Sequence, residues 1–148
     1  VSQWEKVLGP DFMHVHHFCT AQAFMRRSLD PRKNAMDKRY DVQVAKNNLE
    51  YVFSHLENPG YVLLPEINML MGKVYERLDE PLLAVRYYGR AIELKPDFTQ
   101  GYAVFSDYYK HQGNMVKARE LLEQGIAKNP DSIILKRRIE RLETQESP

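Results

Sequence analysis

Residues 65 to 98 can be laid over residues 99 to 132 at a period of 34, and the conformationally special positions coincide. Tyr75 falls on Tyr109, Asp79 on Gly113, Ala84 on Ala118, Pro96 on Pro130 and Asp97 on Asp131. Nothing else in the chain narrows its fold as much, because a unit recurring at this length buries its apolar face only by stacking on its neighbours. In the second half of each copy a small residue is followed, at offsets of 4, 7 and 12, by a large residue, a small one and proline. The two copies read Ala84, Tyr88, Ala91, Pro96 and Ala118, Leu122, Gly125, Pro130.

The spacing inside each copy predicts two helices. Ile67, Leu70, Met71, Val74, Tyr75 and Leu78 recur at three and four residues and form one apolar stripe. The second helix is expected over Leu82 to Leu94, after a turn in which Asp79 serves as a cap and Pro81 sits near the first helical position. In the next copy Gly113-Asn114 takes the place of that turn, where a positive φ stops the helix. Alanine at 84 and 118 lets two helix axes approach closely, with an aromatic ring of a neighbouring helix filling the gap.

The pattern resembles the tetratricopeptide repeat, a helix-turn-helix unit that favours Gly or Ala, aromatic, Ala, aromatic, Ala and Pro at set positions. Gly72, Tyr75, Ala84, Tyr88, Ala91 and Pro96 meet it, as do Tyr102, Tyr109, Ala118 and Pro130. Asn68 stands where the family favours Trp, Ser106 where it favours Gly or Ala, and Gly125 where it favours Ala. The resemblance implies an all-α array of antiparallel helix pairs in a right-handed superhelix, with about seven helices, the last of them a cap. A single domain is expected over residues 1–148, with full copies at 65–98 and 99–132 and a capping helix at 133–145.

Residues 11–64 are expected to hold a degenerate copy. Asn47, Tyr51, Ser54 and Pro59 reproduce the offsets 4, 7 and 12, and His17, Thr20, Ala21 and Phe24 are placed at the first-helix positions. Phe24 to Asn47 spans 23 residues where Tyr75 to Ala84 spans 9, so this copy carries 14 extra. Its helices are expected at about 11 to 29 and about 35 to 56, between Gly9-Pro10 and Asn58-Pro59-Gly60. At the other end Asp131 and Ser132 cap a helix with Ile134, Leu135, Ile139 and Leu142 on one side and Lys136, Arg137, Arg138, Glu140, Arg141 and Glu143 in water, and Thr144 to Pro148 should fray.

In the resembled family the first helices line a concave groove that holds extended peptides or partner helices. Carried across by alignment, the groove positions are Glu66, Met69, Lys73, Glu76 and Arg77, then Gln100, Ala103, Asp107, Lys110 and His111. The degenerate copy adds Val15, Phe18, Gln22, Met25 and Arg26. Lys73, Arg77 and Lys110 are the expected polar anchors, over an apolar floor of Met69 and Ala103. Some members clamp a chaperone's terminal carboxylate with Lys and Asn. Met69 and Lys73 replace that Lys and Asn here, and Val104 a later Asn, which argues against that role.

Composition and motifs add exclusions. The chain has 21 Lys and Arg against 20 Asp and Glu, a formal net charge of +1, so its overall field does not draw it to nucleic acid or anionic membrane. A single cysteine, Cys19, excludes an internal disulfide framework, and no apolar run approaches the roughly 18 to 20 residues of a membrane span. The chain begins at Val1 and is expected to have been processed or trimmed, which leaves a bacterial periplasm or envelope, in secretion or surface assembly, and the cytoplasm both open. There is no phosphate-binding glycine loop, nucleophile elbow, HExxH or paired CxxC, so neither catalysis nor a cofactor is expected.

Two clusters remain. His14 and His17, three apart on a helix, share a face and form a candidate metal pair, with His16 and Cys19 turned elsewhere. The plainer reading has one buried histidine with a hydrogen-bond partner and Cys19 as a small core residue. Arg26, Arg27, Arg32, Lys33, Lys38 and Arg39 surround the long connection, as a solvated loop or a dock for an acidic peptide, lipid or phosphate backbone. Tyr75, Tyr88, Tyr102 and Tyr109 sit at repeat positions and are assigned to the core. The expected function is therefore a non-catalytic scaffold binding a protein or peptide partner. The alternatives are a metal-binding protein using His14 and His17, and a homo-oligomer whose groove is filled by another copy.

Overall fold

The computed structural model describes residues 3–146. Eight α-helices follow one another: α1 Gln3–Leu8, α2 Val15–Arg27, α3 Ala35–His55, α4 Leu64–Arg77, α5 Pro81–Leu94, α6 Thr99–His111, α7 Met115–Lys128 and α8 Ile133–Glu146. A 3-10 turn over Pro10–His14 leads into α2, and there is no strand among the described residues. The helices pack as neighbouring pairs, α2 with α3, α4 with α5 and α6 with α7, and α8 closes against α6 and α7. The extra helix relative to expectation is α1, which buries none of its residues.

The 34-residue period is written in the backbone. Asp79 and Gly113 both take left-handed conformations, with φ of 62° and 74°. Each is followed by the same bond, Glu80 N–H to the Tyr75 carbonyl and Asn114 N–H to the Tyr109 carbonyl, both 2.9 Å. Asp79 therefore ends α4 as its left-handed residue and does not cap α5, whose N-cap, Glu80, makes no side-chain bond. Pro81 opens α5 where its missing N–H is harmless, and Asn114 caps α7 by accepting from Lys117 N–H at 3.0 Å.

The core runs through the whole array. Ile67, Met71, Val74, Ala84, Tyr88, Ala91, Ala118 and Leu122 are buried in it, as are Tyr75 and Tyr102, with Tyr109 packed at its edge. Small residues set the close approaches. A Cβ on Gly72 would stand 2.5 Å from the Tyr88 ring, and one on Gly125 would stand 2.8 Å from both Leu135 and Tyr102. The departure at Gly125 thus follows from how tightly α8 seats on α7. Ser106, another departure, is buried and donates to the Ala118 carbonyl at 2.9 Å, tying α6 to α7, and buried Asn68 bonds the Leu64 carbonyl at 2.8 Å within its own helix.

The N-terminal pair has a register different from the expected one. Val42, Ala45, Leu49 and Val52 face the interior, whereas Asn47, Tyr51 and Ser54 are exposed. A slip of two residues rotates a helix by about 200°, which exchanges its inner and outer faces. Ala45, Leu49 and Val52 keep the offsets 4 and 7, so the motif is present two positions earlier than Pro59 indicates. On α2 the buried set is Phe18, Ala21 and Met25, with His17, Thr20 and Phe24 beside it.

Two buried carboxylates fix the irregular segments. Asp41 in α3 pairs with Lys33 and, at 3.5 Å, with Arg27, pinning the connection between α2 and α3. Asp11 accepts from the N–H groups of Glu57 and Asn58 at 3.1 and 3.0 Å, tying the 3-10 turn to the end of α3. In α8, Leu135 and Leu142 are buried and Ile139 is packed beside them, but Ile134 is 51% exposed. Ser132 accepts from Leu135 N–H at 3.3 Å, as a cap does. The helix continues through Glu146, past the expected end, and of the expected fraying tail Ser147 and Pro148 lie outside the described residues.

Candidate functional site

The first helix of each pair and the closing helix meet along one groove of about 630 Å3. From α2 come Gln22, Met25 and Arg26, with Leu29 just beyond the helix. Leu70, Lys73, Glu76 and Arg77 come from α4, and Gln100, Val104, Asp107, Tyr108 and His111 from α6. Arg138 of α8 closes the set. Residues at spacings of three and four share a helix face, so each helix presents a column of side chains to the groove.

The floor is apolar and the walls are charged. Met25, Leu70, Val104 and Tyr108 are each less than 10% exposed and belong to the core cluster, so the groove bottoms out directly on the core. Above them Glu76 accepts from the Tyr88 hydroxyl at 2.6 Å and meets His111 Nδ1 at 3.4 Å. Burial, helped by that carboxylate, pushes the Tyr88 phenol far above the usual tyrosine range, so its hydroxyl is a fixed donor. Asp107 accepts from Arg138, a bond from α8 back to α6. Lys73 is half-buried. Desolvation lowers its pKa below the usual lysine value, opposed by the nearby Glu76 and Asp107 carboxylates.

Of the ten groove residues expected from alignment, Lys73, Glu76, Arg77, Gln100, Asp107 and His111 line the groove. Gln22, Met25 and Arg26 of the N-terminal pair join them. Ala103 does not, because it is fully buried between helices, and Met69 packs half-buried against the core, so the expected apolar floor is elsewhere. Lys110 lines a smaller adjoining hollow with Asp107, His111 and Arg138. Glu66, Val15 and Phe18 also lie outside, Phe18 being buried in the core.

The residues missed were Leu70, Val104, Tyr108, Leu29 and Arg138. Leu70, Val104 and Arg138 are one repeat position at successive intervals of 34, so a single omitted position accounts for all three, whereas the positions that were carried across lead in α8 to Ile134, Arg137 and Arg141. The water-facing assignment of Arg138 is replaced by this inward one, 30% exposed at the side chain and paired to Asp107.

The other two clusters are arranged differently. His17 bonds Asn48 at 2.8 Å and packs against Tyr51, tilted at 33°, at 4.0 Å between ring centroids, while His14 leans on His55 at 5.6 Å. Among the described residues no group of three or more His, Cys, Asp or Glu side chains is placed to hold a metal ion. Cys19 is exposed, not a core residue. In the basic connection Arg32 bonds Asp30 through both side-chain oxygens at 3.0 and 2.8 Å, holding the Asp30 carboxyl below its usual range. Lys33 and Arg27 turn to Asp41, and Arg27 also covers the Phe24 ring at 4.6 Å. Three of the six basic residues, Arg27, Arg32 and Lys33, thus pair with carboxylates of the protein itself.

No helix among the described residues is long and apolar enough to cross a membrane. No protein-family model and no curated protein matches the chain, so the resemblance to tetratricopeptide repeats stands on the spacing of its own residues.

Proposed function

We propose that the chain is a non-catalytic, tetratricopeptide-like scaffold that holds a segment of a protein partner in the groove between α2, α4, α6 and α8. The observation that supports this reading is the groove itself, where the first helices of successive pairs bring apolar side chains and mixed charges to one face. Such a surface suits an extended or helical segment, with a few buried anchors supplying energy and the polar walls supplying selection. In this reading turnover has no part, and the groove's two carboxylates, Glu76 and Asp107, are engaged by Tyr88, His111 and Arg138.

The test is capture by crosslinking from the source organism, comparing wild type with the double variant Lys73→Glu, Arg77→Glu. Loss of one or more partners only in the variant, with helical content unchanged by circular dichroism, is the expected result. Equal capture by both proteins would remove the groove as the binding site.

A further inference from the structure

The groove's charges do not balance among themselves, and the imbalance specifies what it holds. Four cations line it, Arg26, Lys73, Arg77 and Arg138, against two carboxylates, Glu76 and Asp107. Both carboxylates are engaged within the protein, Glu76 by Tyr88 and His111 and Asp107 by Arg138. Arg26, Lys73 and Arg77 have no ion-pair partner among the described residues. Lys73 is the most telling of the three, because burial works against its charge. A half-buried ammonium in this position gains more from an anion entering beside it than an exposed one does.

The surroundings limit the kind of anion. Leu29, Leu70 and Val104 border the cations, and about 630 Å3 accommodates several side chains, so the occupant extends past its charged group in an apolar form. We infer that the groove selects segments carrying an acidic side chain, the carboxylate seated at Lys73 and Arg77 with Arg26 at the rim, and aliphatic neighbours on Leu29, Leu70 and Val104. This specificity rests on the groove holding a segment at all, and the two claims separate experimentally.

The probe is a displayed library of random dodecapeptides without free carboxyl ends, panned on the full chain and followed by synthesis of enriched sequences with amidated C-termini. The expected result is enrichment of Asp or Glu beside Leu, Ile or Met. Binding should weaken about tenfold or more for Lys73→Gln and when the acidic residue becomes its amide. It should also weaken as salt is raised. Enriched peptides without acidic residues, lost with Leu29→Glu but indifferent to Lys73→Gln, would overturn the acidic specificity and leave the groove as a binding site.

Peptides that bind only with a free carboxyl end would overturn the side-chain assignment. No enrichment, or binding indifferent to both variants, would overturn the groove reading as well. A dimer that forms with concentration and dissolves with Lys73→Gln would seat a second copy in the groove instead. Melting curves of each variant establish that it folds, and Leu29, being 58% exposed, and the solvent-reaching Lys73 are positions where substitution leaves the core intact.

Discussion

Lys73 sits where folding works against its charge, and this gives a signature separate from binding. Its folded pKa lies below its unfolded value because burial disfavours the ammonium. Between the two values the unfolded chain binds more protons, so stability rises with pH through that window, and the penalty is complete below the folded pKa. Lys73→Met should therefore raise the denaturation midpoint at neutral pH, with the advantage shrinking as pH rises from the lowered folded pKa and gone by the unfolded lysine value of about 10.4. Denaturant titrations of both proteins from neutral to alkaline pH check this, and a variant less stable than wild type at neutral pH would contradict it. The same substitution weakens ligand capture in the reading above, so stability and binding should move in opposite directions. Asp79 shows the reverse economy. It accepts left-handed backbone that Gly113 adopts freely, and aspartate is among the few side chains that do so at modest cost.

At the scale of elements, the irregular joints are held by single buried carboxylates. Asp11 is 2% exposed and accepts two N–H groups just beyond α3, which have no helical partner of their own. Asp11→Ala should destabilise the protein by roughly 1 to 3 kcal/mol, measured by denaturant unfolding, with faster amide exchange at Glu57 and Asn58 as the local sign. None of this was legible in the sequence, since an aspartate near a Gly-Pro stop carries no mark of a partner 46 residues away. In the first full copy the second helix was legible almost to the residue, expected over Leu82 to Leu94 and observed over Pro81–Leu94, because period, proline and turn residue agree there. The N-terminal pair was legible in extent but not in register. Its motif, Ala45, Leu49 and Val52, has a valine in place of the last small residue, whereas Asn47, Tyr51 and Ser54 offered a better-looking match tied to Pro59. Burial alone separates the two, and α3 runs to 21 residues, longer than the second helices of the full copies.

Across the whole molecule, tyrosine burial unites the array and sets its alkaline limit. Tyr61, Tyr75, Tyr88, Tyr102 and Tyr108 all have pKa values raised, first by desolvation. Unfolded tyrosines ionise near pH 10, where the folded ones keep their protons, so the stability they contribute is present below that pH and lost as pH rises past it. Unfolding followed by tyrosinate absorbance should show the loss, and Tyr88→Phe should make it shallower. An undiminished midpoint well above pH 10 would contradict this. The groove was legible as far as the first helices supply it, six of ten aligned positions, because the 34-residue period carries face as well as length. Its floor was not, since which apolar residue reaches solvent depends on how far neighbouring helices splay. Arg138 joins the two scales. It anchors α8 to Asp107 on α6 and stands in the groove wall, so the closing helix and the site share one bond. Anything that competes for Asp107 loosens the end of the array, and anything that neutralises the groove's other cations leaves that bond in place. An acidic segment seated at Lys73 and Arg77 leaves that bond in place, so amide exchange along α8 stays as it is in the free protein, and faster exchange there marks an occupant that competes for Asp107.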